Sequence, residues 1–345
     1  MKRHLQRWLL ACLILGLLPL VALSYFFVGI PTKSLDTRYG VTWSTRHAAS
    51  YGLLPQETLQ SILDDLGVRR FRIPAYWDLI EKEPGQFSFD ELVKQLDEIA
   101  KRGGKATIVV GATQPRWPEC WLPTWIKDSM PTEREHAQRR YIERTVQEFM
   151  RHPALARWQV ENEPTLKTFG SCKNQRLDFI ASEIALIREI ETKALLPTQR
   201  HGIVTTDSGE LSTWTSFAGW TDGRGISIYR IVLAPASFLF RYDFLPPFFY
   251  ARKAALVERM TGPVFVSEFQ MEPWADRDLI RVPFEEQSLS MNEIRMKDHL
   301  WVAERTRLPE VYFWGIEWWA WMKVKQGHPE YWEEMKRFFA RHPSS

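Results

Sequence analysis

The sequence predicts an α/β chain: a (β/α)8 TIM barrel preceded by one N-terminal transmembrane or signal helix. Three observations carry that expectation. Residues 8–30 form an uncharged apolar run of 23 residues behind Lys2, Arg3 and Arg7. About 315 residues follow without a Gly/Ser linker, repeat or low-complexity run, a length suited to one barrel of ~250 residues with insertions. Through that length, eight short apolar runs alternate with longer amphipathic ones, as βα units do.

The first run is long enough to cross roughly 30 Å of hydrocarbon as a helix. Basic residues before it and no acid among residues 1–30 would leave the N-terminus inside and the rest of the chain outside. A cleaved signal peptide is the competing reading, with Ala22 and Ser24 as small residues suited to processing. The expectation is therefore a segment 1–30 that anchors or exports a domain 31–345. The domain would be membrane-anchored through residues 8–30 on the extracytoplasmic side, or secreted if the segment is removed.

Eight strands are read at 39–44, 68–74, 106–112, 156–160, 203–206, 225–229, 264–267 and 311–316. Helical periodicity lies between them. Residues 56–66 follow Pro55 and carry Leu59, Ile62, Leu63 and Leu66 on one face; residues 90–102 carry Leu92, Val93, Leu96 and Ile99. Longer helical runs cover 133–151, 177–196 and 285–306. Periodicity leaves a doubly wound open sheet as the alternative to a closed barrel.

The formal charge of +3 belongs wholly to residues 1–30, so the remainder is neutral and gives no electrostatic support to nucleic-acid binding. The eight histidines show neither His-x-His nor His-Glu-x-x-His spacing, so no metal is expected; no cofactor is expected either.

The fourth predicted strand ends in Gln159-Val160-Glu161-Asn162-Glu163-Pro164, and the seventh in Val264-Phe265-Val266-Ser267-Glu268. In a barrel these C-terminal strand ends carry the chemistry. An acid at the mouth of a cavity is costly to ionise unless it has a task or a partner. Two acids facing each other across the mouth are what glycoside hydrolysis requires.

Further residues fall into the same order: Arg72-Ile73-Pro74 ending the second strand, then Trp77, Ile80 and Glu81. Glu83-Pro84-Gly85-Gln86-Phe87-Ser88-Phe89-Asp90 leads to Leu96 and Asp97, and the eighth strand is rich in tryptophan. Over residues 39–325 the sequence resembles the clan A glycoside hydrolases of cellulase-like type. That resemblance implies a retaining β-glycosidase with a carbohydrate substrate. It implies Glu163 as acid/base, Glu268 as nucleophile and Asn162 on the sugar C2 hydroxyl. Arg72 would lie beneath the nucleophile and Tyr229 would orient it. The chain departs from the pattern in lacking histidines at the end of the third strand and before Tyr229. Gln114 is the candidate replacement for one of those contacts.

Tryptophan is frequent, 16 of 345 residues. Trp117, Trp121 and Trp125 lie in a proline-interrupted segment after the third strand, placed either to stack on sugar or to pack the loop. A period of two puts Trp314, Ile316 and Trp318 on one side of the eighth strand. The resemblance then makes Trp318 the first choice, and Trp314 the second, for the ring beneath the reacting sugar. Trp43, near the end of the first strand, joins the candidate supporting residues. Clusters at Thr206, Asp207 and Glu210 with Trp214, and at Gln270 and Glu272 with Trp274, are either glycan contacts or loop caps. Cys120 and Cys172 fall in loops after the third and fourth strands, neighbours on one barrel face, and are expected to form a disulfide. The aromatic stretch 238–250 reads either as a buried insertion or as a surface against a bilayer or lipid-linked glycan.

A transglycosylase would use the same covalent intermediate. A non-catalytic glycan-binding barrel is the alternative from another class, and the presence of both Glu163 and Glu268 speaks against it.

Overall fold

The computed structural model describes residues 2–166, 170–172, 176–209, 214–234 and 238–343; for residues 2–6, 9–15 and 22 only the backbone is described. The elements in chain order are α1 (Lys2–Phe27), β1 (Arg38–Thr42), α2 (Thr45–Ser50), α3 (Pro55–Asp64), β2 (Arg70–Pro74), α4 (Trp77–Ile80), α5 (Asp90–Lys101) and β3 (Lys105–Val110). Next come α6 (Pro131–Phe149), β4 (Leu155–Val160), α7 (Leu177–Ala194), β5 (Gly202–Ser208), β6 (Gly223–Ile228), β7 (Ile231–Ala234), β8 (Phe238–Arg241) and α8 (Phe248–Thr261). The chain ends with β9 (Val264–Gln270), α9 (Phe284–Ser290), α10 (Glu293–Ala303), β10 (Glu310–Trp314), α11 (Ile316–Trp321) and α12 (Glu330–Arg341).

Eight of these strands close a parallel barrel in the order β1-β10-β9-β6-β5-β4-β3-β2. Closure is made by β1 pairing β10, with Tyr39 opposite Val311 and Val41 opposite Phe313. The open-sheet alternative is thereby excluded. The helices follow from local chemistry. Pro55 opens α3, where it loses no needed N–H, and Leu59, Ile62 and Leu63 are buried. Asp90 and Glu91 in the first turn of α5 and Lys101 in its last turn complement the helix dipole. The side chain of Asn292 caps α10 by accepting from Arg295 N at 3.0 Å.

Inside the barrel, Val204, Phe265 and Tyr312 form an apolar layer near the floor, and polar side chains lie above it. Facing outward, Val264, Val266, Phe269 and Met271 belong to the large core under the helices. On β9, residues 264 and 266 therefore face out, and strict alternation would send Glu268 out with them. The register slips here: Val266 pairs Ile226, but Glu268 pairs Ser227. The extra residue is a β-bulge, and it turns the Glu268 side chain into the barrel.

The N-terminal helix exists, but the expected membrane span is not found among the described residues. Among the described residues, no helix is long and apolar enough to cross a membrane. The transmembrane element over residues 8–30, the membrane as a partner and the membrane-anchored location are corrected accordingly. The physical reason lies at the end of the run. α1 contains Pro19, and its last residues pack on protein: Phe26 and Phe27 lie 5.5 and 6.0 Å from the Phe249 ring. The Arg252 guanidinium donates to Val28 O at 2.9 Å and also to Tyr25 O. Arg252 thus gives the last residues of the run a charged partner on the barrel domain.

The aromatic stretch 238–250 divides. β7 and β8 form an antiparallel hairpin on which Phe238 and Phe240 are exposed, as is Phe244 beyond it, whereas Phe248 and Tyr250 are buried at the start of α8.

Candidate active site

Three strand ends converge on Arg72, which is fully buried in β2. Its Nη1 donates to Glu268 Oε1 at 2.7 Å, its Nε donates to Gln159 Oε1 at 2.7 Å, and its Nη2 donates to Asn162 Oδ1. The other Glu268 oxygen accepts from Tyr229 OH at 2.9 Å; Tyr229 directly follows β6. Glu268, 2% exposed, thus has a cation on one oxygen and a hydroxyl on the other. Burial first, then the charge of Glu268, hold the Tyr229 hydroxyl well above its ordinary value, so it stays a donor.

Glu163 stands across the mouth, 8% exposed. It follows β4 with φ of 44°, in the left-handed region, and its N–H donates to Thr206 Oγ1 at 2.9 Å. Burial and then the charge of Glu268 push its carboxyl up to about 8. The neighbouring Glu161 takes φ of 58°. Its carboxylate turns away to accept from Ala112 N at 2.9 Å and Gln138 Nε2 at 2.6 Å. Gly111 makes room for it, since a Cβ there would lie 2.4 Å from that carboxylate. Left-handed backbone at Glu161 and again at Glu163, on either side of Asn162, accompanies the separation of a structural acid from the one in the mouth.

The loop between β3 and α6 folds over the mouth and brings two residues that sequence reasoning passed over, Arg116 and Glu119. Arg116 is buried, with Nη1 2.9 Å from Glu272 Oε1 and Nη2 on Glu317, and its guanidinium lies 3.9 Å from the Trp314 ring centre. Trp314 Nε1 donates to the same Glu272 oxygen at 2.6 Å. Burial raises both carboxyls, Glu317 to about 7. Glu119 is buried beside Asn162, whose Nδ2 donates to Glu119 Oε1 at 3.3 Å. Cys120 and Cys172 are disulfide-bonded, with Cα atoms 5.0 Å apart, and tie this loop to the one after Glu163. The proline and cysteine brackets around Arg116 and Glu119 were the available signal.

Other candidates fall elsewhere. Trp318 is 0% exposed and sits on α11, not on a strand. The strand stops at Trp314, and Gly315 with φ of 130° turns the chain into a helix. The period changes from 2 to 3.6, and Trp318 points to Gln287 Oε1 at 2.7 Å and to the Tyr331 ring at 4.6 Å. Trp314, the second choice, stays on the strand and is 7% exposed. Gln114 is spent on structure, donating to Ala75 O at 2.7 Å and Gly111 O at 3.0 Å. Trp43 is buried in the core. Trp117 is 64% exposed on the loop over the mouth. Asp207 accepts from Thr165 Oγ1 at 2.9 Å, Trp274 packs edge-on to Tyr229, and Glu210 lies outside the described residues. Among the described residues, no group of three or more His, Cys, Asp or Glu is arranged to hold a metal ion.

No family model matches the chain, and no curated protein matches it. Solved structures do. A β-galactosidase from the psychrophilic Marinomonas ef1 aligns with TM-score 0.52 at 16% identity, over 80% of this chain and 54% of that one. A GH5_18 protein from Bifidobacterium longum subsp. longum aligns with TM-score 0.60 at 13% identity, over 90% and 80%. A GH5_18 protein from Streptomyces cattleya in complex with GlcNAc gives 0.55 at 11% identity, over 82% and 71%. The chain spans about half the length of the β-galactosidase it matches. At these identities the likeness is one of fold, the closed parallel barrel with surrounding helices.

Proposed function

We propose that the chain is a retaining β-glycosidase that cleaves an oligo- or polysaccharide by double displacement. Glu268 attacks the anomeric carbon. Glu163 protonates the departing oxygen and then takes a proton from the water that releases the sugar. The observation that carries this reading is the asymmetry of the two carboxyls. Arg72 and Tyr229 stabilise negative charge on Glu268, while burial and that same charge keep the proton on Glu163. Asn162, anchored through Oδ1 by Arg72, gives one Nδ2 hydrogen to Glu119 and has the other for the sugar C2 hydroxyl. Trp314 offers an aromatic edge at the mouth. The test is hydrolysis of a panel of aryl β-glycosides by the full chain, with the first-formed anomer read by NMR. A β product is expected, and an α product overturns retention. In the presence of acceptor sugars the same assay separates hydrolysis from transglycosylation.

A further inference from the structure

Glu119 is a third carboxyl in a centre where two suffice for the chemistry. It is 7% exposed, and Glu163 and Glu268 both lie close enough for their charges to bear on it. A buried acid beside two others is an expensive choice for a loop whose only need is packing.

Its surroundings fix it in place from several sides. Its own φ is 62°, its N–H donates to Arg116 O at 2.8 Å, and its carbonyl accepts from Gln114 N at 3.0 Å. The neighbouring Cys120 is bonded to Cys172, and Ser171 N donates to Pro118 O at 2.9 Å. Gly170 lies against its carboxyl: a Cβ there would be 3.1 Å from Oε2, and φ of 77° disfavours any side chain. Residues 170–172 thus grip residues 118–120, and the group delivered by that grip is the Glu119 carboxyl on Asn162.

The asparagine amide has two ends with different tasks. Oδ1 accepts from Arg72, and from Thr206 Oγ1 at 3.2 Å. Nδ2 carries two hydrogens, of which Glu119 Oε1 takes one. A continuous chain therefore runs from Glu119 through Asn162 and Arg72 to Glu268. Burial first, and then the negative charge shared in this centre, raises the Glu119 carboxyl well above the ordinary carboxylate range, which favours its neutral form.

We propose that Glu119 is a positioning residue acting through Asn162: it takes one Nδ2 hydrogen, aims the other at the C2 oxygen of the bound sugar, and so makes the site selective for sugars with a C2 hydroxyl. The inference rests on the glycosidase reading for the task of Asn162. A glutamine is the isosteric neutral mimic and keeps the acceptor oxygen; an alanine does not.

The experiment measures kcat/KM of the parent, Glu119→Gln and Glu119→Ala on paired aryl β-glycosides with a hydroxyl or a hydrogen at C2. The parent prefers the hydroxyl substrate. Glu119→Ala reduces that preference about tenfold, the size of one lost hydrogen bond in a buried site, and Glu119→Gln keeps it within about twofold. Equal losses on both substrates in Glu119→Ala, or failure of Glu119→Gln to rescue, overturn the proposal, since a structural role moves both substrates alike. If the parent turns over no aryl β-glycoside, the glycosidase reading fails. The proposal is then read by calorimetry with glucose and galactose against their 2-deoxy forms. A parent preference erased in Glu119→Ala but kept in Glu119→Gln supports it, and no preference or no binding overturns it.

Discussion

Arg72 Nη1 and Glu268 Oε1 lie 2.7 Å apart with both side chains almost wholly inside the barrel, which makes them a buried ion pair at the centre of the site. Removing one partner of such a pair leaves an uncompensated charge. Arg72→Met is expected to lose roughly 3–5 kcal/mol of stability and nearly all turnover. Urea unfolding and a glycosidase assay check both. A variant as stable as the parent would show that the pair does not carry its charge in solution.

Tyr229 supplies the second contact to Glu268 and has no charge of its own to remove. Tyr229→Phe deletes one hydrogen bond to a charged group, worth about 1.5–3 kcal/mol. A fall in kcat/KM of roughly ten- to a hundredfold is expected, with thermal unfolding little changed. A large drop in melting temperature with unaltered kinetics would reassign Tyr229 to packing.

Glu163 matters most when the leaving group is poor. Glu163→Ala is expected to slow natural glycosides by roughly 10²–10⁴-fold while sparing glycosides of acidic phenols. Azide, which needs no general base, is expected to give a β-glycosyl azide in that variant. Equal loss on good and poor leaving groups would remove Glu163 from the acid role.

The same carboxyl sets a pH limit. Its proton is retained up to about pH 8, so kcat/KM is expected to fall as pH rises through that value, and Glu163→Gln has no acid to titrate. Stability moves with the same sign. The folded chain holds this proton between the ordinary carboxyl value of 4.5 and about 8, so the stability it contributes is lost as pH rises through that window. The melting temperature of Glu163→Gln relative to the parent is therefore expected to increase from pH 4.5 to pH 8. A difference that does not grow contradicts the assignment.

The barrel was legible because its strands are short apolar runs bounded by turn residues, and a period-two run shows in a sequence. The seven-residue stretch 264–270 also shows where its reading stops. Sequence alternation puts Glu268 on the wrong side, and only the bulge against Ser227 turns it inward. Trp318 lands on a helix rather than the predicted strand for a related reason: Gly315, at φ of 130°, changes the period of the chain, and it was the one glycine in that aromatic run. Glu119 was invisible because its importance depends on a loop folding back to Asn162, 43 residues on, a contact with no periodicity. The apolar N-terminal run was read correctly as helix-forming, but its partner, Arg252, lies 224 residues beyond Val28.

The most direct test of the central claim is mass spectrometry of the full chain after incubation with aryl β-glycosides fluorinated at C2, which slow release of a covalent intermediate. The expected result is one sugar on the peptide containing Glu268, absent in Glu268→Gln. A chain that hydrolyses aryl β-glycosides yet carries the sugar on another residue, or hydrolyses them with inversion and carries none, would contradict it.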